Sequence, residues 1–510
     1  MKKTLQCIGK YVLSYLIIAI CLTGLLVLVA LIPRSSVENN FRKSAEYLGN
    51  RDVYEIKVKG NNASWIDRYA DSILIGIAYQ YDNDKPLESV MWSAYYCDFT
   101  VDENINLLTA VRENKEANKQ YMRYWHGSNV VVRTLHLFLS IKGIYIFNAI
   151  LLAILLGVLI YLLVRNKAYI PAIGLVAGLV ATSSWFVPLS LEYTWTFYIM
   201  LVMSIIMVVR ETGGTIRNDN RKANKDGSNS GNNKDNHRYV NGGKNLGTAF
   251  MICGMVTCFM DFLTTEILTL LVPLLIVLYF RRTSTLQQST EYSRSEGSSK
   301  SSAGRHKTTD ASGKRSKDSG STDGSDNGSF GWRKAAVPVL TWGIGYAGMW
   351  LTKWLMAAAV LGRDVTPYVK ENLKERFGGK LSFDLGLWDY LKGAVTRNFR
   401  ILLPWSFGGF GIVAVLLICF AAVYLCYVYR KESIRGKYIL MCAVIAVIPC
   451  VRYLILHNHS FLHYFFTFRS QIALIMAAVL IVGEIIDFDD LLRRSGRKKR
   501  TAGKKKTGRR

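Results

Sequence analysis

The apolar residues of this chain fall in runs of roughly 18–25, the length that crosses the hydrocarbon core of a bilayer. Ten such runs lie at about 11–33, 144–164, 169–189, 194–210, 246–261, 266–280, 335–361, 408–429, 437–456 and 470–486. They predict an all-α polytopic integral membrane protein of about ten transmembrane helices. The first run follows Met1-Lys2-Lys3 and ends in Leu31-Ile32-Pro33-Arg34 with no small-residue cleavage site, which makes it an uncleaved anchor over 1–33.

The polar segments between the runs are of two kinds. Segment 34–143 carries Trp65, Ile66, Tyr69, Ile73 and Ile77 at helical spacing. It predicts a large extracytoplasmic first loop of mainly helical character. One amphipathic helix is expected over Ser64–Tyr81, with Ser64 as N-cap and Asp67 at the third helical position, and another over 103–125. Segment 362–403 mixes charge with aromatic residues and predicts a further amphipathic element at the interface. In contrast, 212–244 (Asn, Gly, Lys) and 283–331 (Ser, Gly, Lys, Asp), the latter within a loop spanning 281–334, hold too little apolar side chain to offset the entropy of ordering. Both are expected to be disordered. They divide the spans into a first anchor, spans two to six over 144–280 and spans seven to ten over 335–486.

Charge orients these spans. The net +27 sits mainly near Arg165-Asn166-Lys167, in 210–244, 281–334 and 430–437, and in the tail 487–510. With an even number of crossings all of these share one side with both termini, as the positive-inside rule requires of the cytoplasmic face. The excess therefore implies membrane lipid as a partner and no nucleic acid. The basic tail either lies against anionic headgroups or is a solvated topogenic signal. The expected location is the cell membrane, with multiple passes. Eight of the nine cysteines fall in or beside spans, leaving Cys97 alone in the large loop, so no disulfide framework is expected.

Candidate chemistry gathers on the outer side. Asp67 and Asp71 are four apart and share a helix face, where like charges repel unless a cation or metal intervenes. They form either a solvated acidic helix start or a general base with a second acid that raises its pKa. Arg123-Tyr124-Trp125-His126 has the composition of an aromatic belt and equally of a sugar or phosphate site. Asp261 and Glu266 flank a very short outer turn. Lys353 and Arg452 lie near the outer ends of their spans, where they either snorkel to the interface or form a cationic pocket for a lipid-linked phosphate. His459, His463 and Arg469 belong to the densest polar cluster at any span end. The two histidines, four apart, suit hydrogen bonding to sugar or phosphate, or a shared zinc. There is no P-loop, no GxGxxG after a strand and no GxSxG.

A first span, a large outer loop with an acidic motif and many later spans with polar residues clustered outside resemble the GT-C superfamily of multi-span glycosyltransferases. Asp67-Arg68-Tyr69-Ala70-Asp71, Tyr124-Trp125-His126-Gly127, Asp261-Phe262-Leu263-Thr264 and His459-Ser460-Phe461-Leu462-His463 also resemble segments of a group of clostridial membrane proteins. The GT-C resemblance implies transfer of a sugar from a polyprenyl-phosphate donor at the outer face of the membrane. It puts the catalytic acid at Asp67 or Asp71, and maps the later basic and histidine cluster onto His459, His463 and Arg469. The acidic pair lies further past the first span than that family usually places it, and Glu38 stands closer to the usual place. A divalent metal between acids and phosphate is left open. So are a transporter or flippase of lipid-linked glycans and a non-catalytic envelope assembly protein. The mechanism predicts that Asp67 or Asp71 shares one outer cavity with His459 or His463 and with Lys353, Arg452 or Arg469.

Overall fold

The computed structural model describes residues 2–223, 246–282, 332–376, 385–402, 410–491 and 493. The stretches 224–245 and 283–331, which hold most of the segments expected to be disordered, and the tail from 494 lie outside the described residues.

The described chain is almost wholly helical, and its helices have the length and composition of an all-α membrane protein. Six are long and apolar enough to cross a bilayer: Ile8–Ala30, Ile141–Arg165, Leu191–Gly213, Ala335–Leu361, Gly436–Ile455 and Tyr464–Ile485. They lie in α1 (Lys2–Ala30), α7 (Ile141–Arg165), α9 (Leu191–Ala223), α12 (Trp332–Leu361) and α16 (Gly436–Ile455), and in the pair α18 (Tyr464–Thr467) and α19 (Gln471–Ile485). The other apolar runs form shorter helices: α8 (Tyr169–Ala181), α10 (Leu246–Met260), α11 (268–282) and α15 (Phe410–Val428). α8 stops at Ala181, and a 3-10 turn at Ser184–Leu189 with Pro188 inside it takes the rest of the expected span. Thirteen residues rise only about 20 Å, short of a hydrocarbon core of about 30 Å. α9 continues through 212–223, where a loop was expected.

Ile267 to Tyr279 are buried without a break, so α11 is apolar all round because it runs through the centre of the bundle. α10 and α12 pack with their backbones close. A Cβ on Gly254 would strike the Trp342 carbonyl, and one on Gly345 would strike that of Met251. Small residues at facing positions permit this approach.

The long polar segment after α1 is folded. It runs through α2 (Arg34–Gly49), a hairpin of β1 (Tyr54–Ile56) and β2 (Trp65–Asp67), α3 (Arg68–Tyr79), α4 (Pro86–Trp92), α5 (Glu103–Arg112) and α6 (Asn129–Leu135). The hairpin pairs Tyr54 with Asp67 and Ile56 with Trp65. It shortens the helix expected from Ser64: Asp67 is extended (φ −91°, ψ 95°) and becomes the N-cap of α3 by accepting the Ala70 N–H at 2.9 Å. Ser64 instead bonds the Val58 N–H and Asn61 carbonyl. The helix expected over 103–125 ends at Arg112, and the chain beyond is irregular, with Asn114 and His126 at positive φ. On the same side, α13 (Thr366–Arg376) and α14 (Leu387–Leu402) follow α12, and α17 (His457–Leu462) follows α16. α14 buries Tyr390, Ala394, Asn398 and Ile401 along one stripe and leaves Trp388 exposed.

The opposite end of the bundle is held by ion pairs between helix ends. Arg281 donates to Glu211 at 2.8 and 3.0 Å, and Glu484 meets Arg282 at 3.1 Å and Arg435 at 3.8 Å.

Candidate active site

Asp67 and Asp71 are both buried, and they do different things. Asp71 ties two elements together. One oxygen accepts the Leu191 N–H at 2.8 Å and the Ser190 hydroxyl at 3.2 Å, at the start of α9, and the other accepts the Tyr145 hydroxyl at 2.5 Å. Tyr145 in turn accepts from Arg68 at 2.7 Å. Arg68 also donates to the Leu189 carbonyl and to Glu55 at 3.0 and 3.2 Å. Burial pushes the Asp71 carboxyl up to about 6, while Arg68 and the three donors resist that rise, so it is a carboxylate at neutral pH. Arg68 compensates the Asp71 charge, with the Tyr145 hydroxyl bridging the two. A carboxylate with its lone pairs occupied in this way is a poor base and a good pin.

Asp67 has one oxygen on the Ala70 N–H, and its carboxyl lies beside that of Glu192, in the first turn of α9, close enough for the two to interact. A hydrogen bond between two such carboxyl groups requires a proton between them. Burial, and the Asp71 charge after it, raise the Asp67 pKa. Glu192 is 8% exposed, and its Oε2 has no partner. The acid pair that the sequence places at Asp67 and Asp71 is thus Asp67 and Glu192 in space, with Asp71 fixing the helix that carries Glu192.

Tyr193 adjoins the pair, its hydroxyl 3.4 Å from the Trp65 carbonyl and in the field of Asp67 and Glu192. On its other side the Arg469 guanidinium lies 4.8 Å from its ring centroid. Arg469 is 1% exposed and donates to the carbonyls of Ala63 at 3.0 Å and Phe465 at 3.3 Å, and its Nε has no partner. No carboxylate pairs with it among the described residues. The indole N–H of neighbouring Trp65 is also buried and unpartnered. Three unsatisfied polar atoms from Trp65, Glu192 and Arg469 around one tyrosine are unusual in a packed interior, where such groups are nearly always bonded.

The other predicted residues divide. Phe466 lies 5.6 Å from Tyr193, 5.2 Å from the ring of His463 and 5.9 Å from that of His459, so the histidines border this centre through one aromatic layer. Their rings are 4.6 Å apart, but no third ligand joins them among the described residues. His459 is bonded to the Leu263 carbonyl at 2.8 Å. Arg452 forms a two-pronged pair with Glu266 at 2.8 and 3.0 Å and donates to Ser460 and to the carbonyls of Leu263 and Thr264. Its charge is compensated and its donors are used, so it clamps the 261–267 turn rather than awaiting a phosphate. Asp261 closes that turn onto Thr264, and burial, then Glu266, raises its pKa. The turn touches α9 through Thr265 and Thr196, 2.8 Å apart.

Lys353 is elsewhere. It caps the end of α4, donating to the Val90 and Met91 carbonyls at 2.9 and 3.1 Å. Nor do 123–126 form an aromatic belt, since Tyr124, Trp125 and His126 are core residues. Trp125 donates to the Met349 carbonyl, Tyr124 packs edge-on against Phe262, and Arg123 pairs with Glu375 at 2.8 Å. Burial pushes His126 down to about 3, so it is neutral and cannot serve as a phosphate-binding cation. Glu38 is exposed and, among the described residues, pairs with Arg42 across one helical turn. Glu192 and Tyr193 were missed by sequence reasoning, although an acid at the edge of an apolar run is itself a signal.

No known protein family, curated protein or solved structure matches the chain.

Proposed function

We propose that this protein is a membrane-embedded transferase that moves a sugar from a polyprenyl-phosphate donor to an acceptor hydroxyl at the outer face of the cell membrane. The observation that carries the reading is the buried Asp67–Glu192 carboxyl pair, set beside an Arg469 guanidinium with no acidic partner. With one proton between them, the two acids offer one basic oxygen near neutral pH. That oxygen takes the acceptor's proton as the acceptor oxygen bonds to the anomeric carbon. The bond from that carbon to phosphate breaks with its electron pair, leaving polyprenyl phosphate, and Arg469 stabilises the charge that develops there. A donor already activated by phosphate fits an outer face, where no nucleotide is at hand. Among the described residues, a divalent metal would have to be held by fewer than three acidic, histidine or cysteine side chains together with the donor phosphate itself.

In this reading all ten apolar segments cross the bilayer, the shorter helices included. Their alternation between the ion-paired end and the end bearing the folded loop supports that count, and the basic segments make the ion-paired end cytoplasmic. Cys97 is buried and unsuitable as a reporter. Cysteines placed at Phe99 and Phe488, both exposed, are expected to react with an impermeant maleimide from opposite sides of the membrane.

The chemical test is the lipid-linked sugar pool. Cells producing the Asp67→Asn protein in place of the wild type are expected to accumulate the donor. A pool that is unchanged by Asp67→Asn and by Glu192→Gln refutes transfer. A donor trapped on the cytoplasmic leaflet would instead identify a flippase.

A further inference from the structure

The tyrosines that cover the acid pair on its outer side form a wall of their own. Tyr54 is paired with Asp67 across the hairpin, 41% exposed, and stacked at 6.1 Å and 12° on Tyr69. Tyr54 also meets Trp65 edge-on at 5.8 Å. Glu103 and Tyr121 lie close enough to both Tyr54 and Tyr69 to influence them electrostatically. Tyr121 in turn packs edge-on against Tyr95 at 6.2 Å.

This wall has a definite chemistry. It presents flat aromatic faces together with phenolic hydroxyls and one acid, Glu103, that forms no ion pair among the described residues. Burial raises the Glu103 pKa, and the neighbouring Tyr69 hydroxyl and the charge of Lys119 oppose that rise. An interior element would satisfy such hydroxyls internally, and a lipid-facing one would carry aliphatic side chains. Rings for stacking against the apolar face of a pyranose, ringed by neutral donors and acceptors, match a saccharide. The Trp65 N–H, buried without a partner, adds a donor between the wall and Glu192.

We propose that Tyr54, Tyr69 and Tyr121, with Glu103, form a saccharide-binding subsite, and that the acceptor of the transfer is therefore a glycan hydroxyl rather than a protein or lipid hydroxyl. The role as acceptor rests on the transfer reading, whereas the binding does not.

Both parts are tested with the full-length protein in lipid nanodiscs. Saturation-transfer NMR is run with a panel of neutral hexose and N-acetylhexosamine di- and trisaccharides, and polyprenyl phosphate release is measured in parallel. At least one panel member is expected to bind, and Tyr54→Ala and Tyr121→Ala are each expected to weaken it about tenfold. Tyr54→Phe, which keeps the ring, should retain most of the affinity and so control for folding. Saccharide binding without donor turnover upholds the subsite and removes the transfer reading. Absence of binding to every panel member, or binding indifferent to both alanine substitutions, overturns the subsite.

Discussion

Replacing Tyr145 by Phe removes a single oxygen and tests whether Asp71 is a pin. That oxygen donates to Asp71 at 2.5 Å and accepts from Arg68 at 2.7 Å, all three groups being buried. Hydrogen bonds to charged groups contribute about 1.5–3 kcal/mol each, and losing one partner leaves the other desolvated. Asp71 keeps Leu191 and Ser190, and Arg68 keeps Glu55 and the Leu189 carbonyl, so a net loss of about 3 kcal/mol is expected. In a chain of this size that corresponds to a fall of about 3 °C in Tm, read by scanning fluorimetry in nanodiscs at one fixed scan rate because unfolding of such proteins is kinetically controlled. Tyr161→Phe, at an exposed position on the same helix, is the control and should change nothing. Because Tyr145 and Asp71 share a bond, Tyr145→Phe and Asp71→Asn together should cost less than the sum of the two. A Tyr145→Phe protein as stable as the Tyr161→Phe control refutes the pin.

Asp67 in the folded chain titrates above its unfolded value, so the folded state holds the more protons from roughly pH 4 upward and stability falls as pH rises through the folded pKa. Asp67→Asn keeps the cap on α3 but removes this slope, and its Tm should match or exceed the wild type at pH 8 and lose that advantage near pH 5. Breaking the buried Arg452–Glu266 fork with Glu266→Gln should cost about 3–5 kcal/mol, visible as reduced yield of folded protein. Combining it with Arg452→Met should restore much of that yield. Gly127→Ala would drive a methyl group into the Phe259 ring and carbonyl, and a loss of about 1–3 kcal/mol is expected in the same thermal assay.

How far the sequence carries the reasoning differs between backbone and site. Each apolar run contains a helix, because hydrophobic length and periodicity report secondary structure directly. Helix ends were harder to read. Ser64 looks like an N-cap, but pairing with Tyr54–Ile56 draws Trp65–Asp67 into a strand, and the cap moves to Asp67. The mechanism asks Asp67 or Asp71 to share an outer cavity with His459 or His463 and with Lys353, Arg452 or Arg469; the structure brings Asp67 and Arg469 near Tyr193, with the histidines behind Phe466. The partner of Asp67 was not legible: local spacing favours Asp71, whereas the fold brings in Glu192 from about 125 residues away in sequence. Burial also changes what a residue is for. Lys353 and Arg452 read as free cations because sequence cannot say that backbone carbonyls and Glu266 already occupy them. The aromatic segment 121–126 reads as a belt because the same residue types suit an interface and a core.

The claim at the centre of this account is that Asp67 and Glu192 act as one chemical unit while Asp71 only holds them in place. It is tested most directly by the rate of polyprenyl phosphate release from a polyprenyl-phosphate hexose by the purified protein in proteoliposomes. Wild type, Asp67→Asn, Glu192→Gln and Asp71→Asn are compared at matched folded concentration across pH 5–9. The wild-type rate should rise with pH as the pair ionises. Asp67→Asn and Glu192→Gln should each lose about a hundredfold or more, as expected for a general base, and the double variant should be little worse than either single one. Asp71→Asn should retain a measurable rate, with its pH profile displaced to lower pH because the Asp71 charge that raises the pair is gone. Contradiction would come from an Asp71→Asn protein that is as inactive as Asp67→Asn while Glu192→Gln turns over normally, or from no release by the wild type.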